Sequence, residues 1–500
     1  MNIKQAKQQI QNAMTVYFAK DRFGRYKMPP EKQRPVFLMG PPGIGKTAVM
    51  EQVAQELDVG LVAYSMTHHT RQSALGLPYI VEKEYDGQAI QVSEYTMSEI
   101  IVSIYDYRKT SGKREGILFL DEINCVSETL TPAVLQFLQY KTFGRHRVPS
   151  GWIVVAAGNP PEYNHTAREF DIVTWDRLKR VDIEPDYGVW KEYACGWGVH
   201  GAITTYLDCK KEDFYSVQST VDGKRFVTAR GWSDLSDMIC QYEEHGIPVD
   251  EDLIRQYLHN PEIAKNFAIY YDLYRKYRTD YQIGAILSGQ EPESIRQRAR
   301  EARFDERVSL LGLLLDAVSQ SAGEVVEKEA VLEIVLDVLR QVRVSLMRPG
   351  AEPVEVLSGH IQRLEADAAV LESTSGNARL LNAVERLRTY TTLPAAQKGG
   401  KSAFNAWKED FETRTDKVQS LSEKTGKELD CLFRFCETVF PGGQELMILM
   451  AELAIRPQTA KFIARYGCEA YDRVNQKMQF HQRGQKLLEE VKELHLEPLA

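Results

Sequence analysis

Three short stretches of this 500-residue chain carry residue types that do chemistry only in company. The run Gly40-Pro41-Pro42-Gly43-Ile44-Gly45-Lys46-Thr47 fits G-x-x-x-x-G-K-[ST], where glycines let backbone N–H groups turn inward around a phosphate. Lys46 is then set to reach the β- and γ-phosphates of a nucleotide, and Thr47 to offer its hydroxyl to Mg²⁺. Asp121-Glu122 stands 75 residues after Lys46. Asp121 would hold Mg²⁺ through water, and Glu122 would take a proton from the water that attacks the γ-phosphate. Asn159 brings an amide that can bond a γ-phosphate oxygen or that water. The chemistry described is hydrolysis of a nucleoside triphosphate rather than transfer to a second substrate. Taken singly, the acidic pair reads as a helix cap and Asn159 as a turn residue. Their weight comes from following one another along the chain.

The elements that must position these groups are legible around them. Val36–Met39, Leu61–Tyr64, Ile117–Leu120 and Trp152–Ala157 are short apolar runs that predict strands, and each functional stretch begins where such a run ends. Runs without polar alternation suit strands covered on both faces, hence a parallel sheet flanked by helices such as Thr47–Leu57 and Leu130–Tyr140. An amphipathic helix is predicted over Ile3–Lys20. Tyr79-Ile80-Val81 and Ala89-Ile90-Gln91-Val92, separated by Asp86-Gly87, predict an inserted hairpin. Past Pro185 the pattern turns helical: Phe267, Tyr270, Tyr274, Tyr277 and Tyr281 form a stripe suited to a helical core. Leu380, Leu381, Val384 and Leu387 predict one further apolar face, and Leu429, Leu432, Phe433 and Cys436 another. Met347–Pro353 and Leu393–Ser402 are candidate linkers.

Composition sets the outer limits. With 43% hydrophobic and 26% charged residues and a mean hydropathy of -0.37, the chain is of globular type and long enough for two to four domains. Lys and Arg number 62 against 70 Asp and Glu, a net charge of -8 that gives no overall pull towards nucleic acid or anionic lipid. Five arginines between Arg296 and Arg307 are interleaved with acids and read as a solvated helix face. No secretion signal or membrane-spanning run is found, and the seven scattered cysteines read as reduced thiols, so a cytoplasmic location is expected. His68 and His69 are adjacent and unsuited to joint chelation.

The three motifs in this order resemble the AAA+ ATPases, and in finer detail the MoxR family, over roughly Ile3 to Gly289. The resemblance rests on Gly40–Thr47 as Walker A, Ile117–Glu122 as Walker B followed by Ile123-Asn124, and Asn159 as sensor 1. It implies an α/β fold: a P-loop AAA+ core over residues 1–185, an α-helical lid over 186–290, and an all-helical C-terminal extension over 291–500. Asp176-Arg177-Leu178 resembles the family's Asp-Arg-Phe, whose arginine reaches a neighbour's γ-phosphate. Leu178 replaces the usual Phe, and Arg177 is favoured over Arg180. Thr228-Ala229-Arg230 resembles sensor 2, with Thr-Ala for the family's Ser-Pro, and implies that Arg230 reaches the bound nucleotide. The hairpin near Asp86-Gly87 and Lys141-Thr142-Phe143-Gly144-Arg145 resemble the family's insertions near the ring pore. The resemblance implies ATP and Mg²⁺ as cofactors and a homo-hexameric ring. It also implies a chaperone-like role with a von Willebrand factor type A domain partner and a protein client. A DNA-directed motor, a small-molecule kinase and a non-hydrolysing scaffold are the competing classes; the charge balance disfavours the first and Glu122 with Asn159 the second.

Overall fold

The computed structural model describes residues 1–68, 76–85, 88–143, 146–164, 166–220, 223–346, 352–370, 374–394, 400–441 and 443–477. The chain divides into two compact units, Met1–Tyr193 with Lys210–Asn266, and Ala194–Cys209 with the residues from Phe267 onward.

The first unit is built on β1 (Val36–Met39), β2 (Gly60–Ser65), β5 (Gly116–Asp121), β8 (Trp152–Gly158) and β9 (Lys179–Asp182), in the spatial order β2-β5-β8-β1-β9. Every neighbouring pair is parallel. The alternation along β5 shows why its sequence is apolar up to Leu120. Ile117 and Phe119 enter a cluster with Ile10 and Met14 of the helix Ile3–Tyr17 and Met50 and Val53 of the helix Lys46–Glu56. Leu118 and Leu120 enter another, with Ile100 and Ile104 of Glu99–Ser111 and Val134 and Phe137 of Thr131–Tyr140. Both faces are dry, so no polar position remains.

The four predicted strands and the helices flanking them are present. β9 is not announced by an apolar run: of Lys179-Arg180-Val181-Asp182 only Val181 is buried, and among the described strands it pairs with β1 alone, so one edge tolerates charge. The inserted hairpin consists of β3 (Pro78–Tyr85) and β4 (Gln88–Tyr95), with Val81 opposite Val92. Its Asp86-Gly87 turn lies outside the described residues, as do Gly144-Arg145 between β6 (Thr142–Phe143) and β7 (His146–Arg147). A last hairpin, β10 (Ser216–Thr220) and β11 (Gly223–Val227), precedes the helix Ala229–Glu244.

The described part of the second unit is helical. Phe304–Leu346 has 43 residues, about 65 Å at the α-helical rise, and Gly400–Val439 has 40. Such lengths serve two separate cores. Leu310, Leu314 and Val318 pack with Leu429, Leu432, Phe433 and Cys436, whereas Val335 and Val342 pack with Leu357, Leu387 and Trp407. The aromatic stripe does fill helical core, with Phe267 and Tyr281 fully buried. One assignment is corrected: Val384 and Leu387 are buried but Leu381 is 50% exposed, because it lies about 120° around the helix from Leu387, whereas Leu380 lies within about 20° of it. The predicted linkers fall mainly on residues 347–351 and 395–399, outside the described set, and the helix resumes at Gly400. The Arg296–Arg307 stretch is paired internally, Arg296 with Glu291, Arg298 with Asp280 and Arg307 with Glu445. All seven cysteines are thiols, outside any disulfide. The side chains of His68 and His69 lie outside the described set. Among the described residues no helix is long and apolar enough to cross a membrane.

Candidate functional site

Because β1, β5 and β8 run parallel, their C-terminal ends deliver residues 40–47, Asp121-Glu122 and Asn159 to one edge of the sheet. The loop after β1 turns through two left-handed glycines. Gly45, at φ +91°, is the N-cap of Lys46–Glu56. Gly43, at φ +71°, would place a Cβ 2.9 Å from that of Thr228, so neither backbone nor space admits a side chain.

Lys46 is buried and folds back over its own loop. Its Nζ donates to the Gly40 and Pro41 carbonyls, each at 2.9 Å, and to Asn159 Oδ1 at 2.8 Å. Burial pushes the amine down to about 8; Asp121 opposes that shift, Arg230 adds to it, and Glu122 opposes it. Thr47 Oγ1 donates to Asp121 Oδ2 at 3.0 Å, while Asp121 Oδ1 accepts the Glu122 N–H at 2.9 Å. The acidic pair is thereby split: Asp121 points at the loop, and Glu122 turns away through a left-handed backbone at φ +54°. That conformation costs a non-glycine residue about 1–2 kcal/mol. Glu122 Oε2 accepts hydrogen bonds from Thr67 Oγ1 at 3.2 Å and Ser65 Oγ at 3.4 Å. Ser65 ends β2 in register with Asp121. Beside them Asn124 donates to the Asn159 carbonyl at 2.8 Å, holding the turn that aims the Asn159 side chain.

A second segment closes on the loop from 210–266. Tyr215 donates its hydroxyl to the Pro42 carbonyl at 2.9 Å. Thr228 caps the helix Ala229–Glu244, accepting the Gly231 N–H, and the Arg230 N–H donates to the Gly43 carbonyl at 3.1 Å. The Arg230 guanidinium is exposed and near enough for its charge to depress Lys46.

The structure therefore brings together Gly40–Thr47, Asp121, Glu122, Asn159 and Arg230. It does not bring Arg177. That residue precedes β9, and Lys179 of β9 is in register with Val36, the first residue of β1, so Arg177 sits at the opposite edge of the sheet from the loop. It is exposed and lines a cleft of about 290 Å³ with Pro132, Leu135, Asp171 and Val173. Arg180 is engaged locally, donating to Asp182 at 2.8 Å and lying 4.7 Å above the Trp175 ring. Ser65, Thr67 and Tyr215 escaped the sequence reading. A polar residue closing the apolar run Leu61–Tyr64 could have exposed Ser65; nothing local marks Tyr215, which reaches the loop from 173 residues away.

Residues 35–178 match the family model of the AAA domain, dynein-related subfamily. No curated protein gives a significant match to the chain. With the five-stranded parallel sheet, that match defines the class: the chain carries an AAA+ nucleotide-binding domain of α/β fold with a large helical C-terminal region.

Proposed function

We propose that the chain hydrolyses ATP and couples turnover to conformational work on a protein partner, as a cytoplasmic, chaperone-like ring of the MoxR type. The observation that carries this is the meeting of Lys46, Thr47, Asp121, Glu122, Asn159 and Arg230 at one end of one parallel sheet.

In the hydrolytic step, Lys46 leaves the Gly40 and Pro41 carbonyls for the phosphates, which restore a full counter-charge to its amine. Glu122, drawn from Ser65 and Thr67, holds the attacking water and takes its proton. Asn159, released by Lys46, turns its amide to that water or to a γ-phosphate oxygen. Thr47 and Asp121 offer the hard oxygen donors that suit Mg²⁺, and their mutual hydrogen bond at 3.0 Å fits such a donor set. When bound, that ion neutralises charge on the phosphates. Arg177 cannot serve its own loop from the far edge, which supports action on a neighbouring subunit's nucleotide, and the engagement of Arg180 supports Arg177 as that residue. The hairpins 78–95 and 142–147 are the proposed contacts with the client, a von Willebrand factor type A domain protein is the proposed partner, and a hexamer is the proposed ring.

ATPase rates of wild type, Lys46→Ala, Glu122→Gln and Arg177→Ala, with oligomer size on the same samples, test this. Glu122→Gln should bind ATP yet turn it over about 10²–10⁴-fold more slowly. Mixed Arg177→Ala and Lys46→Ala subunits should recover activity that neither has alone. Unimpaired hydrolysis by Glu122→Gln would remove the assigned base, and absence of recovery on mixing would remove catalysis between subunits.

A further inference from the structure

Four successive carbonyls of the loop, Gly40 to Gly43, each have a donor, and the donors fall into two kinds. Gly40 and Pro41 are held by Lys46, which must let go to meet a phosphate. Pro42 and Gly43 are held from outside the loop, by the Tyr215 hydroxyl at 2.9 Å and the Arg230 N–H at 3.1 Å. Only the second pair can persist once a nucleotide has drawn Lys46 away.

Peptide planarity gives those two bonds a consequence on the other side of the chain. In a trans peptide the C=O and the following N–H point in opposite directions. No cis peptide occurs among the described residues, so fixing the Pro42 carbonyl towards Tyr215 turns the Gly43 N–H away from it. Fixing the Gly43 carbonyl towards Arg230 does the same for the Ile44 N–H. Thr228 packs where a Gly43 side chain would begin, which keeps the two segments in register. Successive N–H groups held to one side make an anion-binding concavity.

We propose that Tyr215 is a positioning residue for nucleotide binding: its hydroxyl locks the Pro42–Gly43 peptide so that the loop presents its N–H groups to the β- and γ-phosphates. The assignment rests on the nucleotide reading above. Burial pushes the phenol far up, so the hydroxyl stays a donor throughout the neutral range. The bond is made to ground state and transition state alike, so its loss weakens binding without slowing the chemical step.

Tyr215→Phe keeps the ring and deletes only the donor. Its KM for ATP and its Kd for a fluorescent ATP analogue and the matching ADP analogue should each rise about 3- to 10-fold, the worth of one hydrogen bond, with kcat at saturation within about two-fold of wild type. Tyr215→Leu, which also loses the ring, should be no better than Tyr215→Phe. The proposal is overturned if Tyr215→Phe binds both analogues as wild type does while Tyr215→Leu fails, because the ring alone would then matter. It is also overturned if Tyr215→Phe lowers kcat at unchanged KM. Wild type that binds neither analogue removes the nucleotide reading itself and this proposal with it, a result distinct from a normal wild type with a normal Tyr215→Phe.

Discussion

Both units of the chain bury an ionised side chain, and the two cases are built in opposite ways. In the helical unit Arg456 is buried in the break between the helices Gln444–Ile455 and Pro457–Tyr466 and meets Asp316 of the helix Phe304–Leu346 at 2.6 Å. Asp316 also accepts the Tyr274 hydroxyl at 2.8 Å, and Glu452 lies 3.7 Å from the guanidinium. In the α/β unit Lys46 has acids nearby, but its ammonium is spent on neutral oxygens, two of them carbonyls of the loop it belongs to. The charge at Arg456 is matched within the fold; the charge at Lys46 is parked. Burial and charge are thus common to both, and what separates a site from a brace is whether the counter-charge is already present.

The largest effect that could break this contrast is catalytic. Glu122→Gln removes a carboxylate whose side-chain partners among the described residues are two hydroxyls, so the fold should lose little while turnover falls about 10²–10⁴-fold. Asp316→Ala should do the reverse. It strands Arg456 and the Tyr274 hydroxyl, costs about 3 kcal/mol in chemical denaturation followed by circular dichroism, and leaves ATP affinity unchanged in the molecules still folded. An Asp316→Ala protein of normal stability and impaired ATP binding would mean that the helical cluster belongs to the site.

A smaller effect follows from protonation. The Lys46 amine lies at about 8 instead of its ordinary 10.5, so in the nucleotide-free protein it is largely neutral at pH 9. Phosphate binding then has to draw a proton, and ATP affinity should fall by up to about tenfold per pH unit above 8, while Lys46→Arg shows no such slope. The sign for stability is opposite. A lysine whose folded value is depressed releases its proton on folding between about 8 and 10.5, so the empty protein gains stability as pH rises through that window. Lys141, buried where it donates to Gln33 at 3.3 Å and pushed down to about 8 by burial, adds to the stability slope and not to the affinity slope. Lys141→Met should remove its share of the first and spare the second. Calorimetric titration with ATP at pH 7 to 10, beside thermal melts of the same samples, separates the two.

Legibility in the sequence follows the same division. Val36–Met39, Ile117–Leu120 and Trp152–Ala157 could be read because strands buried on both faces leave uninterrupted apolar text, and the residues that end them inherit a location. Lys46, Asp121 and Asn159 were therefore placed by the strands before them. Glu122 could be assigned beside Asp121, but its left-handed turn towards Ser65 and Thr67 could not, since backbone sign is not written in a residue pair. Tyr215 was invisible because its partner is a carbonyl, which any residue supplies. In the helical unit the faces through Phe267 to Tyr281 and Leu429 to Cys436 were legible by period. The pairing of Asp316 with Arg456 joins residues 140 apart and has no local signature.

The smallest expected effect concerns Arg300, in the run of arginines between Arg296 and Arg307, which stands between the two kinds of charge because it is paired yet exposed. Arg300 lies 3.6 Å from Glu293, and both side chains face water, 44% and 65% exposed. Water already solvates such a pair, so deleting one member leaves nothing stranded. Arg300→Ala should move the melting temperature by no more than about 2 °C and leave ATP turnover and its salt dependence as in wild type. A DNA-stimulated ATPase rate in wild type that Arg300→Ala abolishes would instead make this face a binding surface for nucleic acid. The contrast between matched and parked charge would then have a third member, one whose partner lies outside the chain.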